Sequence, residues 1–209
     1  MPCNRSSLRD RDRPCVTINA LRPERRPKPP MCGIELRKTC SLKGVMVHEA
    51  STALLVEPIG YVRCSRADAQ DDHWDTETCR IELLHAHGPA SVAGLADFSH
   101  IEVLYHFHKV AASEVVSGAR HPRGNRAWPL TGIFAQRGRN RPNRLGTTLC
   151  RLLRVDGSTL YVAGLDAIDG TPVLDIKPVM SEFLPRGELR QPAWSHELMR
   201  DYWDDGANK

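Results

Sequence analysis

The chain has 209 residues, 26% of them charged and 41% apolar, with a formal net charge of +4. At roughly 100–200 residues per domain it can bury a core without disulfides or a structural metal, and no apolar run approaches the roughly 18 residues of a membrane span. The opening MPCNRSSLRDRDRP has no apolar stretch behind its charges, which argues against a secretory signal, and seven cysteines without paired spacing read as a reduced, cytoplasmic protein.

The charge is uneven. Residues 1–45 carry eleven Lys+Arg against four Asp+Glu, whereas the remainder is net acidic. The stretch RPERRPKPP cannot form a packed element, so residues 1–45 read as a basic, disordered tail, with non-specific nucleic-acid binding as its functional alternative. Met46 stands just before the first strand-like run and offers an alternative start. Cys3, Cys15, Cys32 and Cys40 lie in the tail without a C-x-x-C pair, so a zinc site there is not expected. Residues 46–209 are expected to form the folded domain.

Leu54–Val62 is a short β-rich run broken by Pro58 and Gly60, suiting a first or edge strand. Residues 65–78 are polar, with four aspartates around Trp74, and read as a loop. Cys79–His85 predicts a strand and Gly94–Phe98 one helical turn. Ile101–His108 alternates, with Ile101, Val103, Tyr105 and Phe107 on one face and Glu102, Leu104, His106 and His108 on the other. Leu130–Gln136 predicts a strand. Thr147–Val155 and Thr159–Leu165 predict a hairpin around Asp156-Gly157. Val173–Ile176 is a strand that Pro178 limits, and Trp194–Trp203 reads as the one helix. Short strands between Gly, Pro and Asp turns imply an all-β barrel or sandwich with a short C-terminal helix. No G-x-G-x-x-G follows a strand and no P-loop motif occurs, so a Rossmann or P-loop site is not expected.

Three stretches carry chemistry. Residues 137–146, RGRNRPNRLG, hold four guanidiniums in eight residues on a turn shaped by Pro142 and Gly146. Guanidiniums suit carboxylates and phosphates bidentately; the alternative is a solvated hairpin tip. In residues 164–178, GLDAIDGTPVLDIKP, Asp175 and Lys177 share a strand face, and Asp166 and Asp169 bracket a turn. A carboxylate there can accept from ribose hydroxyls, or the segment is turn chemistry with a structural ion pair. Finally, His106 and His108 share a face with Glu102, a spacing that could hold a metal. The competing arrangement has one His bonded and the other at the rim, and no metal is expected.

Gly94–His108 (GLADFSHIEVLYHFH), Gly132–Gly146 (GIFAQRGRNRPNRLG) and Leu165–Pro178 (LDAIDGTPVLDIKP) occur in one order. Together they resemble the TrmO (YaeB-like) family of tRNA methyltransferases, over about residues 56–185. The resemblance implies a small, non-Rossmann all-β barrel that binds S-adenosylmethionine and acts as a homodimer, with no membrane association. It implies methylation of the exocyclic amine of N-threonylcarbamoyladenosine at tRNA position 37, in the anticodon loop. Carried over by motif, the donor contacts fall on His108, Lys109, Arg137, Thr147, Gly164, Leu165 and Asp166. His73 and Trp74 occupy the position of the family's covering segment. The ring of Trp74 or Phe134 would face the sulfonium. Asp175 or His108 would accept the proton, and Arg139, Arg141, Asn143, Arg144 and Lys177 would hold the RNA. Central to this expectation is that Arg137 and Asp166 border one pocket. The rival readings are a methyltransferase acting on another adenosine derivative or small molecule, a non-catalytic RNA- or nucleotide-binding barrel, and a metal enzyme built on His106, His108 and Glu102.

Overall fold

The computed structural model describes residues 54–203. The expectations for residues 1–45 lie outside the described residues. Six antiparallel strands close into a barrel. They are β1 (Gly60–Arg63), β2 (Thr78–Leu83), β3 (His100–His106), β6 (Leu145–Asp156), β7 (Thr159–Ala163) and β8 (Pro172–Pro178). Around the barrel they run β1-β2-β7-β6-β3-β8, and β8 returns to β1. β4 (Ala119–Arg120) and β5 (Thr131–Gly132) form a separate two-stranded ribbon, and α1 (Ala193–Leu198) follows the barrel. No helix among the described residues is long and apolar enough to cross a membrane.

Alternation along the strands builds the core. Val62, Ile81, Ile101, Val103, Leu160, Val162 and Val173 are fully buried, and Tyr105 is nearly so. Each such aliphatic side chain contributes about 1.5–3 kcal/mol relative to exposure. The inward set of β3 is the one its sequence pattern predicts, with Phe107 packed against the core.

Several boundaries differ from expectation. Residues 54–58 are not strand, because Pro58 cannot donate to a ladder; Leu54 and Leu55 stay exposed. Only Thr131–Gly132 of the expected 130–136 strand is paired, and a 3-10 turn follows. The Gln136 carboxamide donates to the carbonyls of Thr131 (2.7 Å) and Arg120 (3.0 Å), folding the segment back. β3 ends at His106: the Phe107 amide still bonds the Arg144 carbonyl in register (2.8 Å), but the Phe107 carbonyl accepts from the Val110 amide (3.2 Å) and closes a turn. His108 therefore sits in a turn and does not share a strand face with His106. The β6–β7 hairpin forms where expected, but its loop is Gly157-Ser158, one residue later than the Asp156-Gly157 turn, because Asp156 pairs with Thr159. Gly157 supplies the positive φ (59°) that this tight turn requires. The helix stops at Leu198, and residues 199–203 continue as turns.

Candidate functional site

β1, β3 and β7 end where β2, β6 and β8 begin, so one end of the barrel gathers the loops 64–77, 107–144 and 164–171. The C-terminal turn joins them: the amides of His73 and Trp74 donate to the carbonyls of Asp201 (3.0 Å) and Tyr202 (2.9 Å). All three of the motif blocks that carry the resemblance reach this end.

At its centre is Asp166. Tyr105, reaching up from β3, donates its hydroxyl to Asp166 Oδ1 at 2.6 Å. Thr148 of β6 donates to the same oxygen, and Tyr202 donates to Oδ2. Three hydroxyls thus orient one carboxylate, which keeps acceptor capacity on Oδ2. Burial, then the Asp166 charge, raises the Tyr105 hydroxyl well above its ordinary value of 10.0 and raises Tyr202 likewise. The same two causes push the Cys150 thiol up to about 12.

These shifts give a pH dependence with a defined sign. Each group keeps in the folded state a proton that the unfolded chain releases at its ordinary value, 9.0 for Cys150 and 10.0 for the tyrosines. Their stabilisation is complete below those values and is lost as the pH rises through the folded ones. Thermal melts taken from neutral into alkaline solution are expected to fall from about pH 9 to 10. Tyr202→Phe should flatten that decline; an unchanged slope would exclude Tyr202 from the linkage.

Around Asp166, Gly164 is buried at a positive φ of 74°, with its amide on the Glu77 carbonyl (3.1 Å). Leu165 is fully buried in the core, so only its backbone is available to a ligand. His108 Nε2 lies near Gly170, 3.9 Å from where a Cβ would stand. Burial first, then Lys109 and His106, hold the His108 imidazole below its usual value. It is therefore neutral near pH 7 and able to accept a proton. Lys109 donates to the Ala67 carbonyl at 2.7 Å and lies 3.9 Å from Asp68.

Trp74 is buried, and the Arg66 guanidinium lies 4.0 Å from its ring centroid. That face of the indole is taken by Arg66, which leaves exposed Phe134 as the freer of the two aromatic candidates. Arg66 also pairs with Glu77 (3.3 Å) in a mostly buried bridge and donates to the carbonyls of Asp72 and His73.

The arginine loop is pinned from inside. Arg144 donates to the Val110 carbonyl (2.7 Å) and Arg141 to that of Gln136 (3.4 Å); Arg139 pairs with Asp71 (3.5 Å). Asn143 (φ 62°) and Arg144 (φ 52°) adopt left-handed backbone, as do His73 (62°) and Arg123 (48°). Such residues cost of order 1–3 kcal/mol each and cluster at sites of function. Asn143 is exposed. Each guanidinium retains further donors after its internal bond.

Arg137 donates to the Thr147 carbonyl at 2.6 Å. It borders a cavity of about 460 Å³ on the outer wall, with Glu102, Thr147, Lys177 and Phe183. The Thr147 hydroxyl donates to Glu102 at 3.0 Å. Asp166 is not among the residues that line this cavity, contrary to the expectation of one pocket bordered by both: the two are linked through β6, where Arg137 holds the Thr147 carbonyl and Thr148, the next residue, holds Asp166. The positive field of Arg137 also reaches Tyr202, which it draws toward ionisation. Lys177 is paired with Asp175 on one face of β8, as expected. Asp175, opposite Leu104 in the ladder, borders a second recess of about 400 Å³ with His87 and Phe98. The structure thus places the two proton-acceptor candidates apart, with His108 at the barrel end and Asp175 on the wall. Among the described residues no His/Cys/Asp/Glu cluster has the form of a metal site; the Glu102 carboxylate is taken up by Thr147.

Tyr105, Thr148 and Tyr202 were not among the predicted site residues. Tyr105 had a legible signal, a hydroxyl on the inward face of a strand, where it must find a partner. Thr148 and Tyr202 had none that local pattern could supply.

The family profile described as tRNA-methyltransferase O N-terminal domain matches residues 61–183. A human tRNA (adenine(37)-N6)-methyltransferase is 37% identical over 156 residues, covering 71% of this chain and 35% of the human protein. A probable S-adenosyl-L-methionine-binding protein of Methanothermobacter thermautotrophicus is 41% identical over 127 residues, covering 59% of this chain and 88% of the archaeal one. The crystal structure of TrmO from Pseudomonas aeruginosa superposes with a TM-score of 0.57 at 28% identity, covering 70% of this chain and 63% of that one. The chain spans about a third of the length of the human relative and under two thirds of the crystallised TrmO.

Proposed function

Because the chain belongs to the tRNA-methyltransferase O N-terminal-domain family, we propose that it transfers a methyl group from S-adenosylmethionine to the exocyclic amine of N-threonylcarbamoyladenosine at position 37 of tRNA. The observation that carries this reading is the oriented Asp166 carboxylate at the barrel end where the family's three motif blocks meet. The donor set there suits the methyl donor: a carboxylate for ribose hydroxyls, and guanidinium and ammonium groups for the methionine carboxylate. Asp166, Gly164, the Leu165 backbone, His108, Lys109, Arg137 and Thr147 would hold it, with residues 73–74 alongside. Bound there, the donor supplies an already activated methyl group.

The protein's own contribution is then alignment, which is worth roughly 7–11 kcal/mol when the geometry is near attack. Neutral His108 is the better-placed proton acceptor, with Asp175 as the alternative. Arg139, Arg141, Asn143, Arg144 and Lys177 would hold anticodon-loop phosphates and the acceptor's carboxylate. Bases in that loop are already unpaired, so presenting one costs little unstacking energy. Free thiols at Cys64, Cys79 and Cys150 support a reducing, cytoplasmic setting. A homodimer is part of the proposal. Leu145, Leu149 and Leu153 are exposed along one face of β6, and exposed Phe183 lies on the cavity that Leu149 also lines. With Thr147 and Arg151 between them on that face, the leucines are separate apolar contacts and not one patch, of the kind a mixed polar interface uses.

The test uses the full chain with labelled S-adenosylmethionine and tRNA lacking the methyl mark, followed by mass spectrometry of the nucleosides. Methylated N-threonylcarbamoyladenosine is expected. Donor binding without consumption would favour a binding barrel, and label on another nucleoside would move the substrate. Arg137→Ala should weaken donor binding about 10- to 100-fold, the loss of one charge-assisted hydrogen bond. Unchanged donor binding by titration calorimetry removes Arg137 from the site. Sedimentation of the full chain as a monomer removes the dimer.

A further inference from the structure

β1 and β2 pair with Arg63 opposite Arg80, Val62 opposite Ile81 and Gly60 opposite Leu83. Cys64 is the first residue past β1, and one further step in that register would set it opposite Cys79, the second residue of β2. The Leu84 amide donates to the Ile59 carbonyl (2.9 Å), so counting in alternation puts residues 64 and 79 at a non-hydrogen-bonded position. Cα atoms of such pairs stand about 4.5 Å apart, with the side chains close, which lies within the range that disulfides span. Consistently, the Cys64 amide leaves the ladder and donates to Asp169 Oδ1 at 3.2 Å. Val62 and Ile81 point into the core, and two residues along each strand Cys64 and Cys79 share that side. Cys79 is 2% exposed, whereas Cys64 is half-buried and reachable.

We propose that Cys64 and Cys79 form a two-thiol site that hydroperoxides oxidise to a cross-strand disulfide at the mouth of the barrel. Cys64 is the attacking thiol. Its pKa is drawn below the ordinary 9.0 by the hydrogen bond from Cys79, against the opposing effects of burial, Glu77 and Asp169. Cys79 is pushed far the other way by the same bond and by burial, and so remains a thiol until it reacts. The Cys64 thiolate attacks the terminal peroxide oxygen, the O–O bond breaks, and alcohol or water leaves, giving a sulfenic acid. The Cys79 sulfur then attacks Cys64; the S–S bond forms, the S–O bond breaks, and hydroxide departs with the Cys79 proton as water. Two thiols are oxidised and one hydroperoxide is reduced. In a reducing compartment such a pair has the character of a sensor and not of a structural bridge.

The reduced Cys64 thiol also donates to the carbonyls of Arg66 and Ala167, each at 3.5 Å. Ala167 follows Asp166 directly, so closing the disulfide removes a donor from the segment that carries that carboxylate. In this respect alone the inference rests on the proposed function.

The experiment treats reduced full-length protein with hydrogen peroxide, blocks the remaining thiols and maps the peptides by mass spectrometry. A linked peptide pair containing Cys64 and Cys79 is expected, absent in Cys64→Ser and reversed by dithiothreitol. Cys79→Ala, which leaves a smaller core side chain, should stop at the sulfenic acid on Cys64. Linkage of Cys79 to Cys150, linkage through the tail cysteines alone, over-oxidation of Cys64 without a bridge, or no reaction would overturn the proposal. Where the bridge forms, S-adenosylmethionine binding by the oxidised wild type should weaken about two- to tenfold relative to the oxidised Cys64→Ser variant. The peptide map does not depend on methyl-donor binding. A bridge in a chain that never binds the donor therefore removes the functional reading and leaves the thiol site standing.

Discussion

Replacing Asp166 by alanine is expected to lower the unfolding free energy by about 3 kcal/mol and to abolish donor binding. The carboxylate is the shared acceptor of Tyr105, Thr148 and Tyr202. Removing it leaves the Tyr105 hydroxyl the backbone carbonyl of residue 166 (3.2 Å) and Thr148 the Tyr105 hydroxyl (3.2 Å), and strands the hydroxyl of Tyr202. Buried donors left without an acceptor cost about 1–3 kcal/mol each. Asp166→Asn keeps the volume and an acceptor oxygen, so it should cost about 1 kcal/mol while still impairing ribose recognition. Denaturant titration reads the stability of both variants, and calorimetry reads the donor. An alanine variant as stable as the parent would show that the three hydroxyls have other partners.

Gly146→Ala is expected to be equally severe for a different reason. Gly146 stands opposite Tyr105 in the β3–β6 ladder. A Cβ there would run into Tyr105 Cε2 and lie 2.6 Å from its Cζ and 2.8 Å from the Phe107 ring. The two rings pack edge to face at 5.4 Å, and Tyr105 is 1% exposed with its hydroxyl tied to Asp166. Tyr105 has no free space to move into, and Phe107, partly buried, can give way only on its open side. The cost should reach the upper part of the overpacking range, about 3 kcal/mol. Displacement of the Tyr105 ring would also loosen Asp166, so donor affinity should fall together with the melting temperature. A variant that melts with the parent would mean that β6 can shift without disturbing either ring.

The barrel was legible where one-residue alternation was uninterrupted. β3 showed its buried face in Ile101, Val103 and Tyr105, and the glycine at 157 announced the β6–β7 hairpin, though its loop falls on Gly157-Ser158 and not Asp156-Gly157. The sequence misled where a side chain took over the backbone's bonding. Leu130–Gln136 has the apolar content of a strand, but Gln136 satisfies the Thr131 and Arg120 carbonyls and turns the chain. Arg137, Asp166 and His108 were named from motifs alone, and the structure brings Asp166 and His108 to the same end of the barrel. The internal bonds of Arg141 and Arg144 were not legible, because they end on carbonyls whose position depends on loop closure. The same is true of the C-terminal turn: nothing local in Asp201-Tyr202 says that it will dock on residues 73–74.

Thr147 and Thr148 are consecutive, and strand geometry turns them to opposite sides of β6. One hydroxyl faces outward to Glu102, beside the Arg137 carbonyl contact; the other faces inward to Asp166. The Arg137 contact and the Asp166 carboxylate are therefore held by adjacent residues of one strand, so a change that shifts β6 along its length displaces both groups together.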